Sequence, residues 1–352
     1  MRVAIVAPPY YEIPPTGYGG TERVCHRLVV GLLERGHEVT LIAAGGDHTG
    51  ARFVATFPET QPEGSEAETT IELLHATRAA TALERLDVDV VHDHSRAGLL
   101  TAASRRTPTV ATVHGPLTGA DSQRELLAAL GRSVSLVAIS DAQRRDAPAL
   151  NWAGRVYNGI DVGAYPFRAD KDDYVLCLGR THPQKGVDLA IDAARAADRR
   201  IIVAGSWTIP AERAWFDEHI RPRIGPGVEW VGEVSGATKR ELLAGASCLL
   251  FPARWPEPFG LAMVEAMACG TPVVGLRAGS VPEIVEDGRT GVVCDEPAEL
   301  AAAIAAADAI DRRACRARVA ERFSAERMVA GYEAVYAQLV AKGSGDEAPV
   351  RR

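Results

Sequence analysis

Glu257 and Glu265 stand eight positions apart in the segment RWPEPFGLAMVEAMACGTPVV (254–274), on either side of the point where an extended loop becomes a helix. Pro256 and Pro258 hold the approach extended, because the residue before a proline is pushed away from helical angles. Gly260 lets the backbone come close to a ligand. The run LAMVEAMA then carries strong helix formers, and Gly270 with Pro272 marks the stop. The pattern predicts a helix start whose free N–H groups at Phe259, Gly260 and Leu261 point outward beside two carboxylates. Free amides at a helix start suit a phosphate, and carboxylates suit sugar hydroxyls; a nucleotide-sugar has both. Two other readings stand beside this one: a solvated helix face, and a glycosidase acid/base pair. Glycosidase pairs flank the scissile bond across a substrate, and Glu265 sits among Met263, Val264, Ala266 and Met267, where an unpaired carboxylate is costly.

Three further clusters bear on the same chemistry. In GRTHPQKG (179–186), Arg180 can grip phosphate oxygens bidentately and Lys185 adds a point charge; together they would stabilise the charge that builds on a diphosphate leaving a sugar. The plain alternative is surface charge. The chain has only four lysines (Lys171, Lys185, Lys239, Lys342), its other basic residues being arginine, so a lysine inside a motif is informative. In GYGGTE (17–22), Gly19 and Gly20 would let an anion approach a helix start; a simple loop capped by Thr21 fits equally. The segment is not G-x-G-x-x-G and no acidic residue ends the next strand, which speaks against a nicotinamide dinucleotide. His114, at the end of TVATVHG, would hydrogen-bond a sugar or an acceptor hydroxyl, or serve as a satisfied structural histidine. HDH (92–94) suggests a metal pair but has no identifiable third ligand, so strand-end packing is the better account.

The elements that must hold these groups alternate. RVAIVAP (2–8), EVTLIAA (38–44), VDVVHDH (88–94), TVATVHG (109–115) and SLVAIS (135–140) read as strands, VYNGID (156–161) closes the half, and a helix spans about 21–35. The second half repeats the plan with YVLCLG (174–179), RIIVAG, VEWVGE, SCLLFPA, TPVVG and TGVVCD as strands. Its helices include 186–197, 298–309 and 325–342. Strand–helix alternation implies right-handed crossovers and parallel sheets covered on both faces. The expected fold class is therefore α/β, with two doubly wound, Rossmann-like domains facing across a cleft, 1–165 and 166–324. PETQPEGSEAETT (58–70) reads as a surface loop and GSGDEAPVRR (343–352) as a disordered tail.

At 352 residues the chain suits two domains. Hydrophobic content of 47% with 24% charged residues fits a soluble globular protein, and a net charge of −7 argues against nucleic acid. No apolar run reaches the roughly 18 residues that span a bilayer, MRVAIVAP is too short for a signal peptide, and no basic amphipathic helix supports membrane association. The expected location is cytoplasmic. Six cysteines without a C-x-x-C pair support neither disulfides nor zinc. No metal site, no cofactor and no oligomeric state can be read from the sequence.

PEPFGLAMVEAMACGTPVV resembles the E-x7-E signature of retaining family 4 glycosyltransferases of the GT-B fold. GYGGTE, GRTHPQKG and VYNGID extend the resemblance over nearly the whole chain, and PPTGYGG is similar to a subgroup that contains antibiotic-tailoring sugar transferases. The resemblance implies that Arg180 and Lys185 hold the donor diphosphate, and that Glu265 binds the donor ribose. It implies that Glu257 and the amides of Phe259, Gly260 and Leu261 contact sugar and phosphates, that Gly19 and Gly20 lie against the phosphates, and that His114 lies near the sugar. It further implies that no metal is needed and that helix 325–342 crosses back onto the first domain. Thr181-His182 before Pro183, and AGSW (204–207), depart from the family pattern.

The expected activity is transfer of a hexose-type sugar from a nucleoside-diphosphate sugar, UDP preferred and GDP possible, to the hydroxyl of an unidentified small-molecule or glycan acceptor, with retention. A nucleotide-sugar epimerase or glycan phosphorylase on the same fold, and a catalytically silent nucleotide-sugar binding protein, are the alternatives.

Overall fold

The computed structural model describes residues 1–119 and 123–345. The chain forms two compact units, one made of Met1–Gly159 with the chain from Ala325 onward, the other of Ile160–Ser324.

The first unit carries a seven-stranded sheet: β1 Arg2–Val6, β2 Glu38–Ala44, β3 Arg52–Phe57, β4 Val90–Asp93, β5 Thr109–Val113, β6 Ser135–Ala138 and β7 Trp152–Arg155. The spatial order is β3-β2-β1-β4-β5-β6-β7 and neighbouring strands pair in parallel. The central strands are near-continuous apolar runs because helices cover both faces; Val3, Ala4, Ile5, Val6, Val90 and Val91 are completely buried. Strand β3 lies at the sheet edge, where RFVATF is only partly buried and its apolar pattern is weak. The run 58–70 is loop as far as residue 67, and its last three residues open the helix that begins at Glu68. VYNGID is not the closing strand: regular pairing ends at Arg155, and Ile160 instead bridges Ser324.

The helix Ala325–Gly345 completes this unit. Val329 fills the space that a side chain at Gly31 would occupy, Glu333 pairs with Arg35 and His37 at 2.7 and 2.8 Å, and Tyr336 Oη lies 2.6 Å from His92 Nδ1. The helix runs to Gly345, so the expected disordered tail falls, from 346 on, outside the described residues. Among the described residues no helix is long and apolar enough to cross a membrane. All six cysteines are buried free thiols.

The second unit has six parallel strands: β8 Val175–Leu178, β9 Ile201–Ala204, β10 Val228–Gly232, β11 Cys248–Phe251, β12 Val273–Leu276 and β13 Gly291–Cys294. Their order is β10-β9-β8-β11-β12-β13. The chain therefore builds outward from β8 in one direction, then returns to start again at β11 on the other side. Residues 160–165, placed in the first domain by the sequence reading, cluster here because the Arg316 guanidinium donates to the carbonyls of Val162 and Tyr165.

Between β8 and β11 two loops leave the sheet side by side. Gly186 (φ +70°) lies against the carbonyl of Pro252, with no room for a Cβ. Substituting Gly186→Ala forces both a left-handed non-glycine residue and a backbone clash. The expected cost is at least about 2 kcal/mol, read as a lowered urea midpoint; a midpoint equal to wild type would reject this packing.

Candidate functional site

In open α/β sheets ligands bind outside the carboxyl ends of the strands, where the strand order reverses. In the second unit that point lies between β8 and β11, and the loops there are GRTHPQKG and the start of RWPEPFG. Their backbone contact brings Lys185 Nζ to 2.5 Å from Glu257 Oε2. The Trp255 indole N–H donates to the same carboxylate oxygen at 3.1 Å, and the Lys185 ammonium sits over the Trp255 ring at 4.8 Å from its centre. The wall behind Glu257 is the turn at Gly279, which packs on the Glu257 backbone so closely that a side chain there would clash. Ser280 N donates to Glu257 O and Ser280 Oγ to Phe259 O, at 2.9 and 2.8 Å.

Gly260 adopts φ +77° and the helix Leu261–Ala268 follows, with no side chain capping its start. The Phe259 ring is buried against Phe323, so this residue offers a ligand its backbone and not its side chain. One turn into the helix, Glu265 is 2% exposed. Its Oε1 accepts from Tyr165 Oη at 2.9 Å and from Lys239 Nζ at 2.8 Å, and Lys239 Nζ is also 2.6 Å from Oε2. Each glutamate of the signature thus has its own lysine.

Arg180 donates to Thr208 Oγ1 at 3.1 Å and lies 3.5 Å from the carboxylate of Glu212, which is itself buried and accepts from the Thr208 amide. The two departures from the family pattern meet here. Thr181 N and Oγ1 both donate to Ser206 O, at 2.9 and 3.2 Å, tying GRTH to AGSW. His182 caps the short turn that delivers Lys185 by accepting from Gln184 N at 3.1 Å.

In the first unit the order reverses between β1 and β4. The loop after β1 carries Gly19 and Gly20. Gly20 opens the helix Gly20–Glu34 and Gly19, at φ 128°, is its cap, so Thr21 is not the capping residue. A side chain at Gly19 would press on Pro15 and on Glu22. Glu22 is buried at this helix start, and burial pushes its carboxyl up to about 8. After β4 and β5, which pair, come His94 and His114. Their rings stack at 5.2 Å, with His94 Nδ1 2.8 Å from His114 Nε2. His92 is buried between Tyr336 and Thr112. The HDH histidines are thus held by hydroxyls and by each other, and among the described residues no group of three or more His, Cys, Asp or Glu gathers to hold a metal.

The structure therefore assembles Arg180, Lys185, Glu257, Phe259, Gly260, Leu261 and Glu265 within the second unit, and Gly19, Gly20 and His114 at strand ends of the first. Sequence reasoning missed Tyr165, Thr208, Glu212, Lys239 and Trp255. The scarcity of lysine was the available signal for Lys239; nothing in the local sequence pointed to the others.

Two doubly wound parallel α/β units with this topology define the GT-B fold class. Residues 18–163 match the model for Glycosyltransferase Family 4, and residues 166–322 that for Glycosyl transferases group 1. The whole chain is 29% identical to a glycogen synthase of Mycobacterium tuberculosis, spanning 97% of it. Over 91% of its length it is 30% identical to an alpha-maltose-1-phosphate synthase of Mycolicibacterium smegmatis, spanning 88% of that enzyme. Among solved structures, AviGT4, a glycosyltransferase involved in avilamycin A biosynthesis, superposes with a TM-score of 0.73 at 26% identity, over 97% of this chain and 98% of its own. Anabaena HepE in complex with UDP-glucose shares the fold, with a TM-score of 0.71 at 20% identity over 98% and 100% of the two chains. The protein belongs to the family 4, group 1 glycosyltransferases.

Burial lowers His114 to about 4 and His94 well below its ordinary value, so both rings are neutral at pH 7. An unfolded histidine takes its proton near 6.5 and folded His114 only near 4. Between those values the unfolded state binds more protons, so stability falls as pH falls. From pH 7 to pH 5, His114 is expected to contribute a loss on the order of 2 kcal/mol. Urea denaturation at both pH values should show a smaller loss for His114→Asn than for wild type; equal losses would reject this account.

Proposed function

We propose that this protein is a retaining hexosyltransferase that moves a sugar from a nucleoside-diphosphate sugar, preferably UDP-linked, to an acceptor hydroxyl without a metal ion. The carrying observation is the convergence of Lys185, Trp255 and Glu257 with an uncapped helix start where the strand order reverses. A fold neighbour that holds UDP-glucose supports the same donor class.

Arg180 and Lys185 take the diphosphate, with the amides of Phe259, Gly260 and Leu261 completing the anion seat. Lys185 must then share its charge between Glu257 and the phosphates. As the bond between the anomeric carbon and the phosphate oxygen breaks, negative charge grows on the diphosphate, and pre-placed cations and amides stabilise that charge more than they stabilise bound donor. This supply of positive charge does the work otherwise done by a divalent cation. Glu257 contacts the sugar and Glu265 the ribose. In the first unit, Gly19 and Gly20 are assigned to the phosphates and His114, as a neutral ring, to the sugar. The first domain takes the acceptor and the second the donor.

Retention requires either a covalent intermediate or attack from the face the diphosphate leaves. Glu257 Oε2 is engaged by an ammonium and an indole N–H, which draws charge from the carboxylate and weakens it as a nucleophile. Same-face attack by the acceptor follows, the departing phosphate oxygen accepting the acceptor's proton.

A thermal-shift panel of UDP, GDP, ADP and their sugars is expected to single out UDP and a UDP-hexose; no shift with any would overturn the donor assignment. With the donor so identified and EDTA present, Lys185→Ala and Glu265→Ala should each lose roughly 100-fold or more in transfer while keeping the wild-type circular dichroism spectrum. Wild-type rates in either variant would sink the assignment. The anomeric configuration of the product, read by NMR, should match the donor's; an inverted linkage would refute retention.

A further inference from the structure

Lys239 lies outside the signature and outside the loops at the strand-order reversal, on the helix Gly236–Gly245. Its ammonium nonetheless reaches the buried carboxylate of Glu265, hydrogen-bonding Oε1 at 2.8 Å and lying 2.6 Å from Oε2. Tyr165 Oη donates to Oε1 from another direction at 2.9 Å. The segment carrying Tyr165 is itself fixed, since Arg316 donates to Tyr165 O, to Val162 O and to Ala268 O at the end of Glu265's own helix, at 2.8, 3.0 and 2.7 Å. Three elements distant in sequence thus converge on one carboxylate.

The consequence for Glu265 is geometric. Oε1 takes two directional hydrogen bonds, while buried Oε2 meets, among the described residues, the Lys239 ammonium at 2.6 Å and no other donor. A carboxylate oxygen accepts two hydrogen bonds. Oε1 is therefore filled by the protein, and Oε2, with one ammonium beside it, keeps one accepting position for a ligand hydroxyl. Lys239, joined to its backbone by a flexible four-carbon stem, is the part of this cover able to shift as a hydroxyl arrives. A buried carboxylate stripped of its cation is strongly disfavoured, so without Lys239 the Glu265 side chain would have to turn away or draw in water.

We propose that Lys239 and Tyr165 are the positioning residues that make Glu265 a reader of the donor's ribose 2′-hydroxyl, with Lys239 setting the strength of that discrimination. The proposal rests on the assignment of Glu265 to the ribose.

The test measures coupling between a protein group and a ligand hydroxyl. UDP, GDP and ADP, each beside its 2′-deoxy counterpart, are titrated calorimetrically into wild type, Lys239→Gln, Lys239→Arg and Tyr165→Phe. A hydroxyl hydrogen-bonded to a charged partner is worth about tenfold or more in affinity, so wild type should prefer the ribose form of its cognate nucleotide by at least about that factor. Lys239→Gln should bring the ratio to within about twofold, Tyr165→Phe should narrow it partly, and Lys239→Arg, which restores the charge, should recover most of it. A uniform loss of affinity with the ratio intact would show a merely structural role and overturn the inference while leaving Glu265 on the ribose. No ribose preference in wild type would overturn the Glu265 assignment and this inference together. Should Lys239→Gln fail to fold, Tyr165→Phe decides: an unchanged ratio rejects the proposal.

Discussion

The backbone of Gly186 pressed against the carbonyl of Pro252 is the contact on which the candidate site of the second unit depends. It exists because β8 and β11 are neighbours in space although some seventy residues separate them in the chain, a result of building a parallel sheet outward from its middle in two directions. Where the two directions part, the loops after those strands have no crossover helix between them. One loop carries a cation, the other a carboxylate and an indole, and the close approach fixes all three within hydrogen-bonding reach.

Charged groups of the candidate site are arranged as three couples: Lys185 with Glu257, Lys239 with Glu265, Arg180 with Glu212. Burying a lone carboxylate is expensive, and each pairing offsets that cost in the absence of ligand. The same pairing places an ammonium against each glutamate of the signature.

The first unit solves a different problem with neutral groups. His92, His94 and His114 sit at or near the ends of adjacent parallel strands and are held by Thr112, Tyr332, Tyr336 and one another. Tyr332 and Tyr336 come from the helix Ala325–Gly345, so the end of the described chain helps set how the strand-end histidines are held. Burial disfavours protonation of these rings, which leaves His114 a neutral hydrogen-bonding group at pH 7 rather than an acid.

Much of this was legible in the chain. Apolar runs of four to seven residues between helical stretches dictate parallel strands, since only strands covered on both faces are apolar throughout. Proline, glycine and the signature glutamates mark the loop-to-helix turn because their backbone preferences act locally. Strand β3 escaped notice because an edge strand needs less apolar character, and the close of the first sheet was misplaced because its last strand, WAGR, lacks a clear pattern. Tyr165, Trp255 and Glu212, and the partner of Lys239, were invisible for one reason. A side chain's partner is set by which strands become neighbours and how far their loops travel, and that depends on contacts summed over the whole sheet. The sequence by itself determined the fold class and the family; only the tertiary structure decided which cation answers each carboxylate, because ion pairing follows distance in space and not separation along the chain.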